Sequence, residues 1–278
     1  MAGLTLASTV KLSSGFKLPL LGFGVFQNGG ATCVSSTLEA LKAGYRHIDS
    51  AVYYANEREV GEAIRLSGIN REEIFVTTKI PTNQQGYESA LKLVDRSLEN
   101  FGFTYIDLYL IHAPLPGSEK RIATYKALLD AQKAGKIRSV GVSNYGVHHL
   151  EEIQKEGLPA PTVNQIEVHP FCQQKPIVEY CNERGIVVEA YSPLVRGRAS
   201  DPTVLRIASE VDRSPFQVYL RWSLQRGFVP LPKSATPSRI KSNAEVYDFE
   251  LSQAQVSALD ALDQGSKGAL LWNPVDAP

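Results

Sequence analysis

The chain has 278 residues, of which 43% are hydrophobic and 21% are charged, and its 29 basic residues balance 29 acidic ones. This length suits one large α/β domain or two ordinary ones, and the composition is typical of a soluble globular protein. The formal net charge of zero provides no bulk field that would attract nucleic acid or an anionic membrane surface.

The sequence has no pattern of a membrane span or a targeting segment. Its longest apolar runs are far shorter than the roughly 20 residues that a bilayer span needs. Residues 1–8 lack a basic stretch before a signal-type core, so we expect a cytoplasmic protein. Cys33, Cys172 and Cys181 are odd in number and widely spaced, which favours reduced packing thiols over a disulfide framework or a zinc site.

Short apolar runs alternate with helical patterns along the chain, which predicts repeated β-α units. Residues 10–12 and 16–18, joined through Ser-Ser-Gly, first predict a hairpin. Core strands are then predicted at residues 20–25, 47–51, 74–79, 106–112, 137–143, 163–168, 186–191 and 228–233. Helical periodicity marks residues 33–42, 57–65, 88–100, 121–133 and 175–184. Ser214 followed by Pro215 is typical of a helix start.

Eight β-α units in a chain of this length predict a (β/α)8 barrel, a fold of about 250 residues. We expect a single domain over residues 1–278, because no linker-like or low-complexity segment interrupts the pattern. The competing fold is a doubly wound sheet, which normally carries G-x-G-x-x-G in its first strand-to-helix turn. Residues 22–27, Gly-Phe-Gly-Val-Phe-Gln, lack the third glycine, so the barrel is favoured.

Four polar residues fall at or just beyond the ends of apolar runs in the first half of the chain: Asp49, Tyr54, Lys79 and His112. In a parallel barrel, the C-terminal ends of the strands form the face that carries the active site. A carboxylate, a phenol, an ammonium and an imidazole brought together there can transfer a proton. Taken singly, each also fits an ordinary role as half of an ion pair, a packing aromatic or a satisfied core histidine.

Three segments resemble the signatures of the aldo-keto reductase family. Residues 44–51, Gly-Tyr-Arg-His-Ile-Asp-Ser-Ala, begin the first, which continues through Tyr54, Asn56, Glu57, Val60 and Gly61. Residues 138–145 read Arg-Ser-Val-Gly-Val-Ser-Asn-Tyr, and residues 231–234 read Leu-Pro-Lys-Ser, followed by Arg239 and Asn243. The resemblance runs from about residue 20 to residue 243, and it implies an eight-stranded barrel that binds a nicotinamide cofactor.

The resemblance implies a catalytic role for each of the four polar residues. Tyr54 corresponds to the general acid that protonates the carbonyl oxygen while C4 of the reduced nicotinamide delivers hydride to carbon. A phenol titrates near pH 10, so a neighbouring cation such as Lys79 would help it to act. Asp49 would pair with that ammonium and make its burial tolerable. His112 would hydrogen-bond the carbonyl oxygen and orient it.

The resemblance also implies that the cofactor is NADPH. Lys233, Ser234 and Arg239 correspond to residues that hold its 2′-phosphate, for which two cations and a hydroxyl are suitable ligands. A solvated basic loop is the ordinary alternative. Ser143, Asn144 and Gln165 correspond to ligands of the nicotinamide carboxamide, although such polar groups also satisfy strand-end backbone. The other implied cofactor contacts are Tyr191, stacked on the ring, Asn243 at the adenine, and Gly24, Val25, Asp49, Ser192 and Leu194.

The expected substrate pocket is formed by Phe26, Tyr54, His112, Ala113 and Trp272. Many relatives have a bulky aromatic in place of Ala113, and a Thr followed by a Trp in place of Val25 and Phe26, so the family's substrates cannot be assigned to this chain. We expect a monomer that reduces a small aldehyde or ketone without a metal, and that also catalyses the reverse oxidation. The alternative is an NADPH-binding redox sensor or accessory subunit on the same fold.

Overall fold

A parallel sheet with its strands in chain order forms the centre of the molecule. The computed structural model describes residues 3–271 and 273–278, and this part of the chain contains eight strands in that sheet. They are β3 (Phe23–Gly24), β4 (His47–Asp49), β5 (Phe75–Ile80), β6 (Ile106–Ile111), β7 (Ile137–Ser143), β8 (Val163–Glu167), β9 (Val187–Tyr191) and β10 (Val229–Pro230). A separate antiparallel hairpin precedes them, formed by β1 (Thr9–Lys11) and β2 (Lys17–Pro19).

The first and last strands of the parallel sheet are joined to each other. The N–H of Gly22 donates to the carbonyl of Pro230 at 3.1 Å, and the N–H of Gly24 donates to that of Pro232 at 3.0 Å. Strands β3 and β10 are therefore neighbours, and the sheet closes into a barrel. The predicted (β/α)8 fold and its N-terminal hairpin are confirmed.

The two strands at this closure are shorter than predicted. The patterns at residues 20–25 and 228–233 yield only two residues each of regular strand, Phe23–Gly24 and Val229–Pro230. Pro230 and Pro232 have no N–H, so they accept hydrogen bonds from β3 but cannot donate to either neighbour. At the closure, hydrogen bonds therefore run from the β3 segment to the two prolines but not back, which explains why the regular strands end early.

Helices between and after the strands cover the outside of the barrel. Within the described residues they are α1 (Gly30–Lys42), α2 (Glu57–Ser67), α3 (Tyr87–Phe101), α4 (Ser118–Lys133), α5 (Val147–Lys155), α6 (Lys175–Glu183), α7 (Pro202–Glu210), α8 (Pro215–Gln225), α9 (Pro237–Ala244) and α10 (Gln253–Asp260). The five helices predicted from periodicity correspond to α1–α4 and α6. No helix in the described ranges is both long and apolar enough to cross a bilayer.

The predicted start of α8 is confirmed in its details. The hydroxyl of Ser214 accepts a hydrogen bond from the N–H of Gln217 at 3.3 Å, and the Gln217 side chain accepts one from the N–H of Ser214 at 3.0 Å. This reciprocal pair satisfies two backbone donors that a helix start leaves free. Pro215 occupies the first helical position, where its missing N–H costs nothing.

The N-terminal hairpin seals one end of the barrel. Leu12 and Leu18 are buried in a cluster with Phe75, Leu108 and Val229 from the barrel strands. Since Phe75 begins β5, this apolar cluster lies at the end of the barrel where the strands begin. The opposite end, where the strands finish, is left for polar groups.

Replacing Leu18 with alanine should test this seal. Leu18 is 0% exposed, so we expect Leu18→Ala to lower the free energy of unfolding by about 2–5 kcal/mol through lost burial and a cavity. Leu66, which is 62% exposed on α2, is the matched control, and Leu66→Ala should change stability by less than about 0.5 kcal/mol. Urea unfolding of the three proteins measures both effects; equal losses in the two variants would contradict the proposed seal.

Candidate active site

The predicted catalytic residues all lie at the C-terminal ends of barrel strands. Asp49 is the last residue of β4, and Lys79 is the last but one of β5. Tyr54 ends a short 3-10 turn that follows β4, and His112 directly follows β6. The barrel topology therefore places these four side chains at one face of the molecule.

The backbone around this face is strained at several strand ends. Of the eight non-glycine residues in the left-handed region within the described chain, four come soon after strand ends at this face: Gln27 (φ 60°), Ala55 (φ 54°), Asn144 (φ 61°) and Ser192 (φ 53°). They follow β3, β4, β7 and β9, respectively. Such conformations are uncommon for residues with a Cβ, and they concentrate at functional sites. These four positions lie at the same face as the polar side chains.

A buried ion pair between Lys79 and Asp49 lies at the centre of the site. The Lys79 ammonium donates to Oδ1 and Oδ2 of Asp49, each at 2.7 Å, and to the carbonyl of Ser50 at 2.8 Å. Burial, the largest single effect, acts to lower the pKa of Lys79, but Asp49, Tyr54 and Glu189 together raise that pKa above its ordinary value. Lys79 is therefore a fully hydrogen-bonded cation at neutral pH.

Tyr54 lies next to this cation. The ammonium nitrogen of Lys79 is 5.1 Å from the centre of the Tyr54 ring. Burial raises the pKa of Tyr54, and the charge of Lys79 opposes the rise without cancelling it. The charge acts in the direction expected from the sequence, but the net shift is upward because desolvation of the phenolate is the larger effect. Tyr54 is thus a protonated phenol at neutral pH, with a cation placed to stabilise its conjugate base.

His112 presents a neutral imidazole to the same space. Its ring packs edge-on against Tyr54, with ring centres 5.8 Å apart, and against Tyr53 at 6.5 Å. Burial, together with the charge of Lys79, lowers the pKa of His112 to about 3. At neutral pH the ring therefore carries one N–H and no charge, so it can donate a single hydrogen bond.

Gln165 connects the ion pair to a second buried acid, Glu189. The side-chain Nε2 of Gln165 donates to Oδ2 of Asp49 at 2.9 Å and to Oε2 of Glu189 at 2.7 Å. Because both partners are carboxyl oxygens, they fix the orientation of the amide, and Oε1 of Gln165 is left as its acceptor. This acceptor can receive a hydrogen bond from a primary amide.

Sequence reasoning missed Glu189 and its neighbour His47. Both side chains are fully buried, and Nε2 of His47 is 3.6 Å from Oε1 of Glu189. The available signal was a charged residue inside the apolar strand pattern at residues 186–191, since buried glutamate is rare without a specific reason. His47 also contacts Oγ1 of Thr77 at 3.2 Å.

The residues expected at the carboxamide are brought together by strands β7, β8 and β9. Ser143 lies opposite Gln165 in the β7–β8 register, and its hydroxyl donates to the Gln165 carbonyl at 2.8 Å. The Tyr191 hydroxyl donates to Oδ1 of Asn144 at 2.9 Å, and Nδ2 of Asn144 donates to the carbonyl of His112 at 2.9 Å. These bonds connect the expected carboxamide ligands directly to His112, one of the candidate catalytic residues.

The residues expected at the phosphate lie after β10 and in α9. The Ser234 hydroxyl accepts from the N–H of Thr236, the residue before α9, at 3.0 Å. Within the described residues, Lys233 and Arg239 form no salt bridge, whereas Lys241 of the same helix lies 3.9 Å from Glu245. Partial burial lowers the pKa of Lys233, and a bound anion would offset this effect. Two uncommitted cations near a helix start are suited to a phosphate.

Other expected cofactor contacts have different surroundings. Val25 is fully buried, its N–H donates to the carbonyl of Asp49 at 3.1 Å, and its own carbonyl accepts from Asn56 at 3.0 Å. Through these two hydrogen bonds, the backbone of Val25 helps to hold Asp49 and Asn56 in place. Gly24 is bound to the segment after β10, as described above. The remaining expected residues are the partly exposed Ser192 and Leu194, in the turn after β9, and the buried Asn243, in α9.

The expected pocket wall is partly present. The Phe26 ring is 5.0 Å from that of Tyr54 and remains 38% exposed, as suits a residue at a pocket mouth. The buried Ala113 accepts a hydrogen bond on its carbonyl from Gln85 at 2.7 Å. Trp272 lies outside the described residues. The segment before it is held by Glu167, which accepts from the N–H of Leu270 at 2.6 Å; sequence reasoning missed this contact too.

The described part of the chain contains no grouping of three or more His, Cys, Asp or Glu side chains arranged to bind a metal ion. Cys33, Cys172 and Cys181 are free and buried, as expected. Burial raises the pKa of each thiol, to about 11, 12 and 11, respectively. Thiols of this kind pack in the core and are poor nucleophiles at neutral pH.

The closed barrel and the polar group at the ends of its strands define an aldo/keto reductase. The model of the aldo/keto reductase family matches residues 21–264, and the chain belongs to this family. The match extends from the first barrel strand to beyond α10, so it includes all four candidate catalytic residues.

Individual relatives agree with this assignment. The chain is 46% identical to a glyoxal reductase of Bacillus subtilis (strain 168), over 95% of each chain. A solved aldo/keto reductase structure from Brucella melitensis is 44% identical, with a TM-score of 0.91, and the match covers 94% of this chain and 99% of that one. A Bombyx mori aldo-keto reductase, solved in complex with NADP, is 32% identical over 99% of each chain, with a TM-score of 0.90.

Removing the charge of Asp49 should destabilise the fold. Asp49→Asn would leave the buried ammonium of Lys79 without its counter-ion, so we expect a loss of about 3–5 kcal/mol in the free energy of unfolding at neutral pH. The control is Asp95→Asn, which removes one partner of an exposed pair with Lys136 and should cost about 1 kcal/mol or less. Chemical denaturation gives both values. Losses of similar size would show that Lys79 does not depend on Asp49.

Proposed function

We propose that this protein reduces an aldehyde or ketone to an alcohol with NADPH, and that Tyr54 supplies the proton. One observation supports the proposal above all others: the buried Lys79 ammonium, held at 2.7 Å by both oxygens of Asp49, lies 5.1 Å from the centre of the Tyr54 ring. A phenol beside a fixed cation is suited to lose a proton during a reaction and regain it afterwards.

The residues present fit a phosphorylated nicotinamide cofactor. Lys233 and Arg239 would hold its 2′-phosphate, because both are exposed and free of salt bridges within the described chain. Gln165 would accept from the carboxamide through Oε1, since its Nε2 is already committed to two carboxyl groups. When bound, the reduced nicotinamide supplies a hydride to the carbonyl carbon.

Each of the four side chains of the site would have a separate role in the proton transfer. His112 is neutral at pH 7, so it would donate a hydrogen bond to the substrate oxygen and hold it near Tyr54 without adding charge. The Tyr54 hydroxyl would pass its proton to that oxygen as negative charge develops there. The Lys79 ammonium would stabilise the resulting phenolate, and Asp49 would keep the ammonium in place.

The relatives suggest where to look for the substrate. The Bacillus subtilis relative is named a glyoxal reductase, and a Trypanosoma cruzi relative, 42% identical over 93% of this chain and 92% of its own, is named a 9,11-endoperoxide prostaglandin H2 reductase. We infer that small activated carbonyls such as glyoxal, other activated aldehydes and α-keto esters are suitable first probes. The zero net charge and the free thiols support a cytoplasmic setting, and we propose a monomer.

Exchanging Tyr54 for phenylalanine tests the proposed acid. Tyr54→Phe removes the hydroxyl and keeps the ring, so we expect kcat to fall at least about a hundredfold, within the range attributed to general acid catalysis. Tyr53→Phe makes the same change on the adjacent ring, which is 72% exposed, and should leave kcat nearly unchanged. NADPH absorbance, followed with the carbonyl probes above, measures both variants.

Two other outcomes of this experiment are informative. Equal turnover by wild type and Tyr54→Phe would refute the assignment of the acid. Wild-type protein that binds NADPH but reduces none of the probes would instead favour a redox sensor or accessory subunit on the same fold.

The proposed phosphate site should determine the choice between NADPH and NADH. Arg239→Ala would remove a charge-assisted hydrogen bond worth about 1.5–3 kcal/mol, so we expect the Kd for NADPH to rise at least about tenfold. The Kd for NADH, which lacks the 2′-phosphate, should stay within about twofold. Lys241→Ala changes another exposed cation of α9 and should alter neither value. Fluorescence titration gives each Kd, and parallel losses for both nucleotides would contradict the assignment.

A further inference from the structure

We propose that the buried carboxyl group of Glu189, through its charge, sets the preference of the site between oxidised and reduced nicotinamide. This inference rests on the proposed function, because it requires the nicotinamide to lie over Gln165 and Tyr191. It adds a residue that acts on the ring through its charge and that is held in place by its hydrogen bond from Gln165.

Glu189 lies on the same face of β9 as Tyr191 and further from the C-terminal end of the strand. It lies in β9, two residues before Tyr191, and its side chain is fully buried. Oε2 accepts the hydrogen bond from Gln165 at 2.7 Å, whereas Oε1 has no hydrogen-bond partner. A buried carboxyl group with one unsatisfied oxygen needs a functional explanation, because such groups are normally fully paired.

The charged and titratable groups around Glu189 leave its own charge uncompensated. From β4, the Asp49 carboxylate shares the amide of Gln165, and from β5 the Lys79 ammonium neutralises Asp49. His47, also from β4, approaches Oε1 at 3.6 Å. Burial, as the largest effect, lowers the pKa of His47 to about 4, so its ring is neutral at pH 7. On the other side, β10 contributes the apolar Val229 as register partner.

The charge of Glu189 changes between neutral and alkaline pH. Burial, followed by repulsion from Asp49, raises the pKa of Glu189 to about 8, although Gln165 and Lys79 oppose the rise. Below this pH the side chain is a neutral carboxylic acid. The group formed by Glu189, Asp49 and Lys79, which we call the floor of the site, then has no net charge. Above it, Glu189 loses a proton to solvent and the floor carries one negative charge.

The charge of Glu189 would affect the binding of the two forms of the cofactor differently. The oxidised nicotinamide ring is positively charged, whereas the reduced ring is neutral. A carboxylate beneath the ring would therefore attract NADP+ and leave NADPH almost unaffected. By linkage, binding of NADP+ would favour the ionised form of Glu189 and release a proton. At neutral pH the protonated acid adds no such attraction, so NADP+ binds less tightly relative to NADPH than it does at alkaline pH.

The test compares Kd values for NADP+ and NADPH from about pH 6.5 to about pH 9.5 in wild type and Glu189→Gln. Glutamine retains an oxygen that accepts from Gln165 but cannot ionise. The ratio of the two constants removes effects of the shared phosphates and of Lys233. We expect the ratio Kd(NADP+)/Kd(NADPH) to fall on the order of tenfold across this range in wild type, and to stay flat in the variant. The same pH dependence in both proteins would overturn the proposal.

A second measurement needs only the wild-type protein, so it stands even if the variant fails to fold. Adding NADP+ near pH 7 should weaken the infrared band of a protonated carboxylic acid and release protons into weakly buffered solution, whereas adding NADPH should do neither. Absence of both signals would refute the role of Glu189. Failure to bind either nucleotide would refute the proposed function as well, whereas tight binding with a pH-independent ratio would refute the Glu189 inference alone.

Discussion

The buried contact between the Lys79 ammonium and the Asp49 carboxylate is the interaction on which the site depends. A lone ammonium in this position would lose its proton or disrupt the fold, so Asp49 must be present and ionised. Asp49 also receives the amide of Gln165 through Oδ2, and its backbone carbonyl receives the N–H of Val25. The carboxylate of Asp49 thus joins β4 to β5 and β8, and its backbone carbonyl joins β4 to the residue that follows β3.

The architecture separates stability from chemistry along the barrel axis. Leu12 and Leu18 of the hairpin close the end where the strands begin, in an apolar cluster that tolerates no charge. At the other end, the strand termini supply polar groups whose protonation states follow from their depth. His112 is neutral because burial disfavours the imidazolium, whereas Lys79 stays charged because a carboxylate meets it at 2.7 Å. Burial and ion pairing together therefore determine which of these side chains are neutral and which are charged.

Most of the fold could be predicted because its periodic elements are long and regular. Strand β7 and helices α2 and α3 are close to the predicted bounds, whereas β3 and β10 were overestimated because Pro230 and Pro232 interrupt donation. The convergence of Asp49 and Lys79 followed from the rule that parallel strands end at one face. Glu189 could not be predicted in its role, because the sequence does not show that Gln165 would turn both amide protons toward two carboxyl groups. That relation exists only after β8 and β9 pair.

Closure of the barrel also has a consequence for how the chain folds. The hydrogen bonds from Gly22 to Pro230 and from Gly24 to Pro232 join segments separated by most of the sequence. Each inner strand pairs with its neighbour in the chain, so sheet growth is comparatively local, but the last pairing requires a loop of about 200 residues to close. Until β10 has been synthesised and docked, β3 presents an unpaired edge that is prone to associate with other chains. Completion of the ring is therefore the step at which this molecule most needs protection during its synthesis.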